Sequence, residues 1–512
     1  MIYTHCHVGA VGPLNLYKFF RDRFEARLDQ PFLLSTGGSR HSYGDIDRLS
    51  AGFAAALVEA GVNSGDRVVV QVDKSPGAVA LYLACLRIGA VYVPLNTAYT
   101  AAEVSYFLGD AAPVLFVCRP GSAAQLSRVA DQAGGATTLT LGDSLDGSFA
   151  DLAQKLPTFN ELTSLDPGDV TAILYTSGTT GRSKGAMLTL ENLASNAITL
   201  HEYWGFRPGD VLLHALPMFH VHGLFVALHC AMLNASSVIF LPKFDVDEVR
   251  ELLPDATVMM GVPTFYTRLL DCKDFGRDEC RHMRLFISGS APLTVHTFEE
   301  FEQRTGHKIL ERYGMTETNM ITSNPLDGER VAGTVGYALP GIEIRVADET
   351  GKPLPPGTVG SVELKGPNIF TGYWQMPEKT AQEFHADGFF ITGDLGSLAE
   401  DGRLSLVGRS RDLVISGGYN IYPKEIEAVI DEVPGVVESA VIGIPHSDFG
   451  ESVIAVVVPD RNNPASKESI FEATGSQLAR FKQPRRIILV DELPRNAMGK
   501  VQKTSLRARY GG

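Results

Sequence analysis

Cysteine is scarce, with six residues in 512, at Cys6, Cys85, Cys118, Cys230, Cys272 and Cys280, and none of them forms a CxxC pair. That scatter argues against a disulfide framework and offers no zinc-ligand spacing; it reads as reduced, mostly buried thiols. No apolar run reaches the roughly 20 residues needed to span a bilayer. The N-terminus lacks the charged-then-apolar pattern of a signal peptide, so the expectation is a cytoplasmic protein with no membrane partner. Basic charge is deficient too: 45 Lys and Arg against 59 Asp and Glu give a net charge of −14. That sign disfavours work on a phosphate backbone, and nucleic acid is not expected as a partner.

What is present fits a large globular chain. Hydrophobic residues make up 44% and charged residues 20%, close to ordinary soluble proteins, and the length predicts several folding units at roughly 100–200 residues each. Short apolar runs at Val68–Val72, Val91–Leu95 and Val114–Cys118 alternate with helical stretches between Pro13 and Pro167. The rhythm returns at Val238–Leu241, Val258–Val262 and Leu285–Gly289. Two α/β subdomains are predicted. From Gly341 the runs IEIRVAD and SVELKG, separated by the turn-rich KPLPPGTVG, predict a small antiparallel β-subdomain. After GRSRD comes a tail with one amphipathic helix, PKEIEAVIDEV, and the strand-like runs SAVIGIP, VIAVVVP and RRIILV. We expect an α/β core over residues 1–410 and a mobile α+β C-terminal domain over 411–512, with GRSRD short enough to act as a hinge.

The segment TAILYTSGTTGRSKGAML carries the first chemical signal, a strand running into a loop of glycine, serine and threonine that ends at Lys184. Gly178, Gly181 and Gly185 allow backbone N–H groups close to an anion, Thr176, Ser177, Thr179 and Thr180 surround them with hydroxyls, and Lys184 adds charge. The spacing is not that of the Walker loop. On composition alone a plain surface loop is the competing reading. Further along stand FISGSAPL at Phe286, ERYGMTETNM at Glu311, ITGDL at Ile391, GRSRDLVISGGYNIYPKEIE at Gly408 and PRNAMGK ending at Lys500.

In this order and at these intervals, the segments resemble the adenylate-forming superfamily of acyl-CoA synthetases, luciferases and peptide-synthetase adenylation domains over nearly the entire chain. HALPMFHVHGLF, GVPTFYTRLL, FISGSAPL, ERYGMTETNM and GGYNIYPKEIE resemble, within it, the malonyl-CoA synthetases. The resemblance implies ATP, Mg²⁺ and coenzyme A as cofactor and cosubstrates and a small dicarboxylate as substrate, made into an acyl-adenylate and then a thioester. It implies Lys500 as the lysine bridging carboxylate and α-phosphate, Glu317 as the Mg²⁺ ligand, Thr316 as an α-phosphate contact, and His220 as a gate beside the acyl and thiol channels. Asp394 and Arg409 resemble ribose contacts. Ser288, Gly289, Ser290, Ala291 and Pro292 resemble the adenine-side loop, with Tyr313 and Gly314 beside the base. Arg411 is the implied pivot that presents Ser416, Gly417 and Gly418 to the pantetheine tunnel. Lys500 also resembles a site of regulatory acetylation, which would make a lysine acetyltransferase and deacetylase its partners.

A dicarboxylate needs a cation facing its second carboxylate, and Arg268, after GVPTFYT, is the candidate by the same resemblance, with Ser288 and Met315 setting pocket depth. Helical spacing alone would leave Arg268 on the surface. Methylmalonate tolerance stays open. The alternatives are an acyl- or aryl-CoA ligase for a monocarboxylic acid, an adenylation enzyme loading a separate carrier protein, and a scaffold that keeps the fold without the chemistry.

Overall fold

The computed structural model describes residues 14–176, 183–416, 419–446, 450–461, 463–496 and 499–511. The expected α/β rhythm resolves into two large sheets. In the first, strands Val91–Pro94, Arg67–Gln71, Leu115–Cys118 and Thr137–Thr140 lie parallel in that order, and Val170–Thr176 joins them beside Val91–Pro94. The second has a parallel centre formed by Leu285–Ser288, Val258–Gly261, Val211–His214 and Ser237–Phe240.

Helix Pro76–Ile88 shows how local signals and burial cooperate. Ser75 caps it by accepting from the Ala78 N–H, Pro76 supplies its first turn, and Gly89 ends it at φ 73°. Its PGAVALYLACLRI sequence is apolar on all sides, and every residue after Pro76 is buried, as a helix enclosed by protein requires.

The two sheets are not consecutive in sequence, which local periodicity could not reveal. Strand Pro31–Ser35, from the N-terminal stretch, pairs in parallel with Ser237–Phe240 of the second sheet. Gly372–Tyr373 returns from far downstream to pair with Lys184–Thr189 at the edge of the first. Both exchanges tie the halves into one continuous core.

Strands Glu343–Ala347, Gly360–Lys365, Phe390–Leu398 and Leu404–Arg409 form the antiparallel sheet expected after Gly341. One tight turn, Ser410–Asp412, then leads to a five-stranded sheet built on Val436–His446 and Gly450–Pro459. Both faces of this last sheet are covered. Val453, Ala455 and Val457 pack with Ile426, Ile430 and Ile470, while Ile454 and Val456 pack with Leu493 and Leu506. The unbroken apolar run VIAVVV is therefore a strand buried on both sides. Among the described residues no helix is long and apolar enough to cross a membrane.

Candidate active site

Strand Val170–Thr176 leaves the first sheet and Lys184–Thr189 re-enters it antiparallel, with Thr176 opposite Lys184. The Gly/Ser/Thr segment is thus the connection of a β-hairpin. Ser177, Gly178, Thr179, Thr180 and Gly181 lie outside the described residues, as do Gly417 and Gly418. Lys184 is buried, its ammonium 3.4 Å from Glu383 Oε1 and 3.9 Å above the Tyr373 ring centroid. Gly185 serves close strand packing, since a Cβ there would come 2.8 Å from Ile173 Cγ2.

Across from this hairpin, strands Leu310–Met315 and Asn319–Ser323 are joined by the turn that carries Thr316 and Glu317. The turn is tight enough that a Cβ on Gly314 would sit 2.0 Å from the Asn319 carbonyl oxygen; glycine is the residue that fits. Glu317 is buried and accepts from the Tyr373 hydroxyl at 3.0 Å and, at the outer limit of a hydrogen bond, from Thr176 at 3.5 Å. Among the described residues it makes no ion pair, and no cluster of three or more His, Cys, Asp or Glu is present that could hold a metal by itself. A hard cation held here would need most of its oxygen ligands from phosphate and water, which is how Mg²⁺ is usually bound.

Alternation along Leu310–Met315 sends neighbouring side chains to opposite faces. Tyr313 donates its hydroxyl to Asp394, which in turn pairs with Arg409 Nε at 3.0 Å across the antiparallel register Asp394–Arg409. Tyr313, Asp394 and Arg409 are thereby one hydrogen-bonded unit. Arg312, on the other face, is 2% exposed, and its Nε and Nη2 have no hydrogen-bond partner. Its guanidinium lies against Gly289, where a Cβ would meet Arg312 Cζ at 2.4 Å. Burial brings its pKa down to about 9, with Tyr266 and Glu311 opposing.

Around Arg312 are further unsatisfied groups. Ser288 Oγ is buried without a partner. Ser290, held at φ 70°, places its hydroxyl 3.3 Å from His222 Nδ1, and His222 Nε2 is buried and unpartnered. His222 opens a π-helical segment, His222–Leu228, a local widening that recurs at functional sites. Beside it His220 is partly buried, its pKa lowered to about 3 by burial and by Lys500 and Arg312. Both imidazoles are neutral. Ala291 is half-buried and Pro292 exposed, and the loop they occupy is pinned where Glu311 accepts from the Leu293 N–H at 3.0 Å. Met315 is half-buried at the end of the same strand.

Lys500 reaches this centre from the C-terminal sheet. Its loop closes on itself, Lys500 N–H donating to Asn496 Oδ1 at 3.0 Å, and Gly499 abuts Thr264 so closely that a Cβ would lie 3.3 Å from Oγ1. The pKa of Lys500 is lowered to about 8 by burial first and by Arg409, with Asp394 and Glu317 opposing and Arg312 adding to the depression. One lysine thus feels the Asp394–Arg409 pair, the carboxylate of Glu317 and the buried Arg312 together.

Arg268 is exposed on helix Pro263–Asp271, whose Phe265, Tyr266, Leu269 and Leu270 take the buried positions; the buried cation beside Gly289 is Arg312. Arg411 is exposed in the interdomain turn, while its neighbour Asp412 pairs with Arg507 at 2.7 Å. Ser416 is buried in the C-terminal sheet. Sequence reading missed Arg312, His222, Tyr373 and Glu383. A signal for Arg312 existed: a Glu-Arg pair inside the otherwise apolar ILERYGM strand is costly unless used.

The model of the family described as AMP-binding enzyme matches residues 20–374, and that of the AMP-binding enzyme C-terminal domain matches 425–500. The chain is 35% identical over 486 residues to a malonate–CoA ligase of Arabidopsis thaliana, covering 86% of this chain and 78% of the relative. It is 52% identical to MatB from Rhodopseudomonas palustris, with a TM-score of 0.94 to the ATP-bound crystal structure over 97% of this chain and 99% of that one. The apo form of MatB matches with a TM-score of 0.85 over 98% and 99% of the two chains. A chain that matches both family models in order, and that brings Lys500 onto Asp394, Arg409 and Glu317, belongs to the AMP-binding enzyme family and is an acid–thiol ligase of the AMP-forming acyl-CoA synthetase type.

Proposed function

We propose that the protein is a malonate–CoA ligase, converting malonate, ATP and coenzyme A to malonyl-CoA, AMP and pyrophosphate. The observation that carries the substrate is Arg312, a buried guanidinium with two unpartnered nitrogens beside Ser288 and His222. A buried charge without a partner is expensive, and a second carboxylate accepted by those donors removes the cost. The test is to supply ATP, Mg²⁺ and coenzyme A with malonate, methylmalonate, succinate, acetate, octanoate and coumarate, reading AMP and acyl-CoA by mass. Selective malonyl-CoA formation is expected; turnover of monocarboxylates alone would overturn the substrate reading.

In the first step a malonate carboxylate oxygen attacks the α-phosphorus, forming malonyl-AMP and releasing pyrophosphate. Lys500 is assigned the bridge between that carboxylate and the α-phosphate, neutralising charge where it develops, and Thr316 an α-phosphate contact. Lys184 and the hairpin hydroxyls are assigned the outer phosphates, and Asp394 and Arg409 the ribose. Glu317 would hold Mg²⁺, which when bound supplies charge neutralisation and orientation of the phosphates. In the second step the thiol sulfur attacks the malonyl carbonyl carbon, the thiol loses its proton and AMP leaves. Lys500 must vacate the site for this, and the C-terminal domain, from residue 411, is assigned a rotation about Arg411 that replaces Lys500 with Ser416–Gly418. The free thiols Cys85, Cys118, Cys230, Cys272 and Cys280 fit a reducing compartment, of which the cytoplasm is the one proposed.

Lys500 must be an ammonium to do this. Since burial lowers its pKa to about 8, it loses its proton as pH rises through that value, and adenylation kcat/KM should fall on the alkaline side with a midpoint near 8. Lys500→Arg, whose guanidinium stays charged, should move that limb to higher pH in a pyrophosphate-release assay. A limb that stays in place would assign the titration to another group. Acetylation of Lys500 would remove the same charge at every pH, so quantitatively acetylated enzyme should lose adenylation; unchanged activity would remove the regulatory reading.

Arg268→Ala is expected to leave the KM for malonate within about twofold of wild type, as surface substitutions generally do. A sharp rise in steady-state KM would return Arg268 to the pocket.

A further inference from the structure

Tyr373 has no part in the adenylation chemistry described so far, yet it touches both phosphate-side groups of the site. It lies on the short strand Gly372–Tyr373, which pairs with Lys184–Thr189 at register Tyr373–Ala186. Its side chain is 4% exposed. The hydroxyl donates to Glu317 Oε1 at 3.0 Å, while the ring face carries the Lys184 ammonium 3.9 Å from its centroid. Lys184 is held there from the other side by Glu383, 3.4 Å away, which also pairs with Lys379 at 2.9 Å.

The distribution of hydrogen bonds on Glu317 is lopsided. Both hydroxyls that reach it, from Tyr373 and Thr176, go to Oε1, and Oε2 receives no hydrogen bond from a described residue. A carboxylate held by one oxygen cannot rotate freely, and its second oxygen is presented in a fixed direction. The Glu317 backbone is fixed as well, its carbonyl accepting from the Phe370 N–H at 2.8 Å, and Phe370 packs edge-on against the Tyr373 ring with centroids 4.8 Å apart. Segment Phe370–Tyr373 therefore fixes Glu317 at both main chain and side chain.

We propose that Tyr373 is a positioning residue for adenylation, whose hydroxyl pins Glu317 Oε1 so that Oε2 faces the divalent cation accompanying ATP, and whose ring is the platform on which Lys184 waits for the outer phosphates. This rests on the assignment of Glu317 to the metal. It makes Tyr373 the physical link between the metal carboxylate and the phosphate lysine, two groups that must engage one triphosphate together. Tyrosine suits the task because its ring offers a cation–π surface and its phenol a directed donor; phenylalanine would supply only the first.

The test separates these parts. Mn²⁺ binding is measured by electron paramagnetic resonance with a non-hydrolysable ATP analogue present, on wild type, Tyr373→Phe and Glu317→Gln, with thermal melting to compare folding. Tyr373→Phe should weaken Mn²⁺ binding about tenfold, the scale of one hydrogen bond to a charged group, and raise the Mg²⁺ concentration needed for pyrophosphate release in parallel. A role confined to packing would leave Mn²⁺ affinity alone, because the ring is retained. Glu317→Gln should weaken Mn²⁺ binding more. If Glu317→Gln weakens binding and Tyr373→Phe does not, the role of Tyr373 is overturned while the metal assignment stands; if neither does, the assignment of Glu317 itself falls.

Discussion

Lys500→Ala is expected to reduce formation of malonyl-adenylate by about 10³-fold, the scale seen when one preorganised stabiliser of developing charge is removed, while thioester formation from supplied malonyl-adenylate and coenzyme A proceeds near the wild-type rate. The split follows from where the lysine sits. Its ammonium lies in the field of Asp394, Arg409, Glu317 and Arg312 at once, the place proposed above for the α-phosphate and the attacking carboxylate, whose charges repel. Of the other groups that act on Lys500, Arg409 and Arg312 carry positive charge, and Arg409 is committed to Asp394. The second half-reaction places no new negative charge between two anions, and it needs the space the lysine occupies. Single-turnover assays of the two halves decide the matter: loss of both would make Lys500 a structural anchor of domain docking, and survival of both would remove it from the chemistry.

Docking itself has a small footprint that the same loop explains. Gly499 meets Thr264 because glycine lets the backbone approach, and φ 72° there suits the turn that reverses the chain between Asn496 and Lys500. Lys424, on the helix Pro423–Asp431, sits near enough to Glu311 to lower its pKa against the burial that raises it to about 7. Glu311 also fixes the Ser288–Leu293 loop through the Leu293 N–H. The C-terminal domain thus acts, through Lys424 and Glu311, on the Ser288–Leu293 loop as well as placing Lys500.

Much of the arrangement was legible in the sequence because the groups proposed to handle the nucleotide sit in contiguous motifs. Tyr313, Thr316 and Glu317 share one hairpin, and Asp394 with Arg409 face each other on adjacent strands whose motifs are only a turn apart. The periodicity of VVVQV, VYVPL and VMMGV likewise gave strands to within a residue or two. What could not be read is what long-range pairing creates. Pro31–Ser35 joins the second sheet by contact with Ser237–Phe240, and Gly372–Tyr373 reaches Lys184–Thr189 only through the closure of the β-subdomain. Tyr373 therefore carried no signal linking it to Glu317. The exposure of Arg268 has a related cause: a helix presents two faces, and the apolar Phe265, Tyr266, Leu269 and Leu270 took the inward one.

Arg312→Met should change which acids the enzyme uses. The substitution keeps an unbranched, flexible side chain in the buried position and removes the guanidinium whose Nε and Nη2 stand without partners. Two effects then oppose each other. Malonate loses its anchor, leaving a carboxylate buried unpaired, and kcat/KM for malonate should fall about 10²–10³-fold, the range for truncating one side of a buried charge pair. The empty site, by contrast, is relieved of a desolvated cation, so the protein should melt no lower than wild type. Short monocarboxylates, which have no second carboxylate to pair and in the wild type must leave Arg312 unsatisfied, should be used as well or better, so that the ratio of malonate to propionate turnover collapses. Gly289 provides an independent check because it gives the guanidinium room to lie flat, and Gly289→Ala would place a methyl 2.4 Å from Arg312 Cζ. That variant should push the arginine aside and reproduce the loss of malonate selectivity with the guanidinium still present. If Arg312→Met lowers malonate and propionate use equally, the arginine shapes the site without reading the substrate, and the second carboxylate must be held by the neutral donors Ser288 and His222 alone.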